Sequence, residues 1–136
     1  MPVKFDWDDA EQTMGIYVLS GNWTWDELQP VMTDSWTQIS KRDGIVDSIM
    51  IFENRFLPAN PMPQLRKMTT ERPANTGIVV AVGAGIIQRS VIQVFTRIYS
   101  STLGREVPIL IAESVDQARQ ILAKRKAERG QSAQTD

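Results

Sequence analysis

Three stretches rich in β-branched residues and poor in polar ones constrain the fold of this chain more than any other feature. They run from Ile45 to Phe52, from Gly77 to Val82 and from Val107 to Ala112. A strand that is apolar on both faces must be covered on both, as in a parallel sheet between helices. Helical segments separate the three stretches, so the pattern predicts a mostly parallel sheet with right-handed crossovers.

The first part of the chain predicts an antiparallel hairpin. Val3–Trp7 and Met14–Leu19 are strand-like and flank the turn-forming segment Asp8–Gln12. The fold class expected for the whole chain is therefore α/β, a single domain with a mixed, mostly parallel five-stranded sheet. We expect this domain to occupy residues 1–126 and a flexible polar tail to occupy residues 127–136. Deletion of Arg129–Asp136 is expected to leave thermal stability unchanged.

A capping box marks the start of the first helix. Thr24 is the predicted N-cap, Glu27 completes the box, and Trp23 and Leu28 form a hydrophobic staple. Gly44 is expected to end the helix, and Pro30 to kink it. The residues expected on its buried face are Leu28, Met32, Trp36 and Ile39.

The later helices are less uniform in their signals. Four prolines between Phe56 and Pro73 predict a loop with at most a short helix over Gln64–Thr70. A second capping box, Ser114 with Gln117, opens the final helix. Two sets of apolar residues are expected to face inward. On the helix that ends at Gly104 they are Ile87, Val91, Val94, Phe95 and Ile98. On the final helix they are Val115, Ala118, Ile121 and Leu122.

The composition excludes several classes of chemistry. The chain has no cysteine and no histidine, so disulfides, Cys/His zinc sites, cysteine nucleophiles and histidine acid–base schemes are ruled out. With a net charge of -1, it has no overall field that attracts nucleic acid. We therefore expect no catalysis, no cofactor, no metal and no nucleic-acid partner. The absence of a signal peptide and of a long apolar run favours a cytoplasmic protein without an integral membrane segment.

Two polar clusters have both a functional and a structural interpretation. Gly83 and Gly85 lie between a strand and a helix, where glycines let backbone amides reach a phosphate, and Arg89 follows one turn later. The third glycine of a dinucleotide fingerprint is replaced by Gln88, which favours a tight turn over a nucleotide site. The acidic segment Asp6–Glu11 fits no calcium loop and is interpreted as a solvated turn.

Two apolar features are candidates for binding a partner or ligand. Trp25 lies on the first turn of its helix, where burial and contact with a protein partner are equally expected. The loop Phe56–Met62, with Leu57, Asn60 and Met62, leaves the carboxyl end of a strand, where open α/β sheets bind ligands. A purely structural crossover loop is the alternative.

The layout from Val3 to Leu122 resembles the STAS domain, and more closely the SpoIIAA-like branch of small stand-alone bacterial proteins. The segments that carry the resemblance are Ile16–Gly21 with Thr24–Leu28, Val46–Phe52, Gly77–Gly83 and Glu113–Ala118. The resemblance implies a non-enzymatic protein that binds a partner such as an anti-sigma factor, or a regulatory module; some members are thought to bind nucleotides or lipids.

One departure from that family concerns regulation. The phosphorylated antagonists of the family carry a serine just after the third strand, whereas here Glu53–Pro61 contains neither serine nor threonine. The phosphoserine switch is therefore not carried over. Two hypotheses follow: an interaction domain for a so far unidentified protein partner, and a carrier or sensor of a small anionic or lipid-like molecule. A closed apolar pocket at the carboxyl ends of the strands favours the second, and a flat exposed patch the first; the sequence leaves homodimerisation open.

Overall fold

The computed structural model of the protein describes residues 2–54, 56–103 and 109–135. The strands are β1 (Val3–Trp7), β2 (Met14–Leu19), β3 (Val46–Phe52), β4 (Thr76–Val82) and β5 (Ile109–Ala112), and the helices are α1 (Trp25–Ser40), α2 (Pro61–Glu71), α3 (Ile86–Leu103) and α4 (Val115–Thr135). The predicted helix end at Gly104 and the predicted strand residues Val107 and Pro108 lie outside the described residues.

The strands form one sheet in the order β1-β2-β3-β4-β5. The pair β1–β2 is antiparallel, with Val3 opposite Leu19, and the other three pairs are parallel. The α/β fold class and the N-terminal hairpin predicted from the sequence are thus confirmed. The STAS resemblance stays a prediction.

The two faces of the sheet carry separate apolar cores. Right-handed crossovers between successive neighbours place α1, α2 and α3 on one face. The core on this face contains Leu19, Leu28, Phe52 and Ile92. The opposite face is covered by α4, whose Ala118 and Leu122 pack with Ile49 and Val80 as the inward face predicted for this helix requires.

The capping box of α1 is confirmed. The Thr24 hydroxyl accepts the Glu27 N–H at 3.1 Å, and the Glu27 carboxylate accepts the Thr24 N–H at 3.0 Å. The helix continues through Pro30. The predicted end at Gly44 is wrong, because the helix ends at Ser40 with Lys41 as a right-handed C-cap.

The helix α2 is longer than predicted. It covers Pro61–Glu71, where the sequence predicts a loop with a helix no longer than Gln64–Thr70. The prolines do not prevent it, because Pro61 and Pro63 occupy the first turn, whose backbone N–H groups have no partner within a helix. None of the residues of α2 is buried.

The predicted inward stripe of α3 is wrong in part. Phe95 is fully buried as expected, but the other buried positions are Gln88 and Ile92. Ile87, Val94 and Ile98 are exposed, being 71%, 46% and 48% accessible. The sequence pattern follows the apolar residues, whereas the helix turns the side with Gln88 towards the sheet because that amide has backbone partners there.

The prediction of a flexible tail after Lys126 is wrong where Arg129 is concerned. α4 continues to Thr135, and the Arg129 guanidinium forms an ion pair with Asp47 at the start of β3. The Asp47 side chain is only 4% exposed, and its Oδ1 also accepts the Ile78 N–H at 2.9 Å. The C-terminal part of α4 is therefore held by an ion pair with the buried Asp47 carboxylate, without an apolar anchor.

Candidate functional site

An apolar cavity of about 120 Å³ lies between the sheet and the helices α1, α2 and α3. Its floor is formed by inward side chains of the central strands, and its walls by the three helices. Representative lining residues are Met50, Ala81, Leu28, Met32, Met68 and Ile92. The lining contains few polar atoms, so the cavity offers an apolar molecule the same environment as a protein core.

The outer wall of the cavity is α2. This helix contributes Leu65 and Met68 to the lining, yet it buries no residue completely and packs mainly against α3. A helix with few buried contacts opens at a lower free-energy cost than the core does. The wall formed by α2 is therefore the part of the cavity best able to adapt to a ligand.

Two tryptophans close the cavity near the carboxyl ends of the strands. The rings of Trp23 and Trp25 meet edge to face, with centroids 4.9 Å apart. The Trp25 Nε1–H donates to the Ala59 carbonyl at 2.8 Å and so fixes the loop that leads to α2. Trp25, for which burial and partner contact were equally expected, is thus half-buried in the wall.

Trp23 differs from Trp25 in its polar atom. The residue is 1% exposed and lines the cavity, and its Nε1–H is buried without any acceptor among the described residues. A buried donor without a partner loses its hydrogen bond to water and gains nothing in return, which costs about 1–3 kcal/mol. The sequence predicts Trp23 only as part of a hydrophobic staple, and nothing in the pattern indicates this unpaired group.

Two further polar groups in the wall, Tyr17 and Arg72, have partners. The Tyr17 hydroxyl is hydrogen-bonded to Ser35 Oγ, which itself donates to the Met32 carbonyl at 2.7 Å. Burial raises the pKa of Tyr17 to about 12, although the hydrogen bond with Ser35 acts in the opposite direction. Arg72 donates to the Gly77 carbonyl at 3.1 Å. Tyr17 is therefore neutral at physiological pH, and Arg72 is held by the backbone.

The turn at Gly83 is explained by its backbone. Gly83 has φ +79°, and a Cβ there would lie 2.4 Å from the Phe52 carbonyl oxygen. The Gly85 N–H donates to Gln88 Oε1 at 2.7 Å, and Arg89 Nε donates to the Ala84 carbonyl at 2.9 Å. The polar groups of this segment are thus hydrogen-bonded to one another within a tight strand-to-helix turn. This is the structural interpretation that the sequence favours.

The remaining residues predicted for the site do not converge. Leu57 lines the cavity beside Trp25, whereas Phe56 lies outside and is 38% exposed. Asn60 is exposed and adopts a left-handed conformation at the N-cap of α2, and Met62 lies in a shallow surface depression with Tyr99. The structure thus brings Trp25 and Leu57 together and leaves the others on the surface.

The acidic turn between β1 and β2 is structured rather than merely solvated. Asp8 receives a bidentate pair of hydrogen bonds from Arg119 of α4, at 2.7 and 2.9 Å. Burial opposes ionisation of Asp9, but hydrogen bonds from Thr13 and from the Met14 N–H outweigh it and lower the pKa of Asp9. No three side chains of metal-binding type are grouped for an ion within residues 2–54, 56–103 and 109–135.

Comparisons of the chain with protein-family models, with curated proteins and with solved structures find no match. Among the helices that the structure describes, none has the length and apolar character needed to cross a bilayer.

Proposed function

We propose that this protein binds a small, predominantly apolar molecule in the cavity beneath α2 and acts as its carrier or sensor without converting it. The observation that carries the proposal is the apolar cavity of about 120 Å³ between the sheet and three helices. It reaches the carboxyl ends of β2 and β3 at Leu19 and Phe52, the end of the sheet at which open α/β sheets bind ligands.

The size of the cavity limits the ligand. An apolar cavity of about 150 Å³ engineered into another protein stays dry and accommodates benzene. A cavity of about 120 Å³ therefore suits a body of similar size, such as one aromatic ring or a short alkyl chain. A longer molecule requires an outward shift of α2, the wall with no buried residue.

The methionines provide a direct test of ligand position. Met32, Met50 and Met68 line the cavity, whereas Met14 packs on the opposite face of the sheet and Met62 lies in the surface depression. We expect benzene, titrated into protein labelled with ¹³C at the methionine methyl groups, to shift the NMR signals of the first three and leave those of Met14 and Met62 unchanged.

The same titration can contradict the proposal. Shifts confined to Met62, or equal shifts at all positions, would mean that benzene associates with the surface. No shift up to the solubility limit of benzene would show that the cavity does not admit an apolar ligand. Gas chromatography of an organic extract of the purified protein then identifies any molecule retained from the cell.

A second candidate function, binding of a protein partner, is favoured by an exposed apolar patch at the carboxyl ends of the strands. This patch consists of Phe56, Ile86 and Ile87, with exposures of 38%, 81% and 71%. Gln88 holds its two parts together, because its Nε2 donates to the Phe56 carbonyl at 2.9 Å. Adjacent exposed apolar side chains of this size are typical of interaction sites.

Matched substitutions test the partner hypothesis. If the patch binds a protein, Ile87→Asp abolishes that complex in size-exclusion chromatography after cross-linking in cells of the source organism. Ile45→Asp, at the opposite end of β3 and also exposed, leaves it intact. Loss of the complex in both variants, or in neither, would count against the patch.

A further inference from the structure

The unpaired indole of Trp23 narrows the chemistry of the ligand, and this inference rests on the proposed function. We infer that the natural ligand carries a hydrogen-bond acceptor, such as a carbonyl, ester or ether oxygen, which accepts the Nε1–H of Trp23. The cavity wall thus selects for an apolar body with one polar oxygen rather than for a pure hydrocarbon.

The argument starts from the two tryptophans in contact with each other. The Nε1–H of Trp25 has the Ala59 carbonyl at 2.8 Å, while that of Trp23 is buried and has no acceptor in the described part of the chain. Most buried donors in native proteins are satisfied, and an exception next to a cavity points to a partner that the protein itself does not supply. The exception here lies on a residue that lines the cavity.

The indole N–H also determines which kind of polar group the ligand must present. An indole N–H donates and cannot accept, so the matching group must be an acceptor. Tyr17 does not compete for that group, because its hydroxyl is already bonded to Ser35. A neutral oxygen fits the wall around Trp23 better than a carboxylate, because a buried charge needs several donors or a counter-ion. Arg72, the arginine among the lining residues, lies instead by Gly77 at the start of β4.

Access to the indole requires adjustment of the wall. The Nε1 atom is sealed from water-sized molecules in the structure. The parts of the wall best able to move are α2, which buries no residue, and the loop that Trp25 holds through Ala59. Ligand entry is therefore expected to displace this side of the cavity while the sheet stays in place.

An isosteric pair of probes tests the inference. Acetophenone and α-methylstyrene have the same shape, but only acetophenone has a carbonyl oxygen. We define the acceptor preference as the dissociation constant of α-methylstyrene divided by that of acetophenone, measured by NMR titration. This ratio contains the difference in hydration of the probes, so the informative quantity is its change between wild type and Trp23→Phe, in which hydration cancels.

We expect the acceptor preference of the wild type to exceed that of Trp23→Phe roughly fivefold or more, as for a buried hydrogen bond gained or lost. Trp7→Phe is the matched control, since it removes an indole that does not line the cavity and whose N–H already donates to Gln38 Oε1 at 3.1 Å. Its acceptor preference should equal that of the wild type. If both probes bind and Trp23→Phe leaves the preference unchanged, the inference is wrong although the cavity binds ligands. If benzene binds but neither probe does, the inference is wrong and the proposed function stands; if benzene does not bind either, the proposed function fails as well.

A measurement on the wild type keeps the inference testable even if Trp23→Phe does not fold. In a ¹⁵N spectrum the four tryptophans give four indole N–H signals, and the Trp23 signal is the one that should move downfield with acetophenone and not with α-methylstyrene. A Trp23 signal that responds equally to both probes would overturn the assignment of this N–H as the ligand's donor.

Discussion

Removal of Arg129 should destabilise the protein, although it lies in a segment whose composition predicts a dispensable tail. A chain ending at Glu128 leaves the Asp47 carboxylate 4% exposed and without its guanidinium partner. Loss of one member of a fully buried pair costs about 3–5 kcal/mol. The Arg129 side chain is 33% exposed, so part of the interaction is screened by solvent, and we expect about 2–3 kcal/mol. For a chain of 136 residues this corresponds to a fall in Tm of roughly 10 °C.

A second truncation supplies the control. A chain ending at Gly130 loses most of the same polar end but keeps Arg129, and calorimetry should place its Tm within about 2 °C of the full-length value. Asp47→Asn in the chain ending at Glu128 should recover part of the loss, since an amide oxygen can still accept the Ile78 N–H without burying a charge. Equal melting temperatures for the two truncations would refute the reasoning.

Three further predictions concern the elements around the cavity. Thr24→Ala removes the acceptor of the Glu27 N–H and should cost about 1 kcal/mol; an unchanged urea midpoint would argue against the capping box. Gly83→Ala places a Cβ 2.4 Å from the Phe52 carbonyl oxygen at φ +79° and should cost more than about 2 kcal/mol in urea, whereas Gly44→Ala, which meets nothing within 4 Å, should not. Because the pKa of Tyr17 is raised from 10.0 to about 12, the unfolded chain loses this proton first, so stability is full below pH 10 and falls by about 1.4 kcal/mol per pH unit up to about pH 12. Tyr17→Phe should flatten this decline in a pH series of denaturation midpoints, and an equally steep decline would show that other groups cause it.

The fold class was predictable because several independent signals agree on it. The apolar strands, the Thr24–Glu27 capping box and the hairpin each depend on residues within a few positions of one another. Two of the errors fall where a distant partner determines the structure. α4 extends beyond its apolar pattern because Arg129 reaches Asp47, 82 positions earlier. Gln88 lies on the buried side of α3 because the Phe56 carbonyl, 32 positions earlier, accepts a hydrogen bond from its side chain.

The cavity could not be predicted for the same physical reason. Each residue that lines it, including Leu28, Met32 and Phe52, has the pattern of an ordinary core position, and periodicity cannot distinguish a filled core from one with space inside it. The space lies beneath α2, none of whose residues is buried, and the placement of that helix cannot be inferred from composition. The unpaired N–H of Trp23 could not be predicted either, because Trp23 and Trp25 look alike in the sequence and only Trp25 has an acceptor, the Ala59 carbonyl. An oxygen-bearing ligand can therefore supply the acceptor that the Nε1–H of Trp23 lacks in this wall.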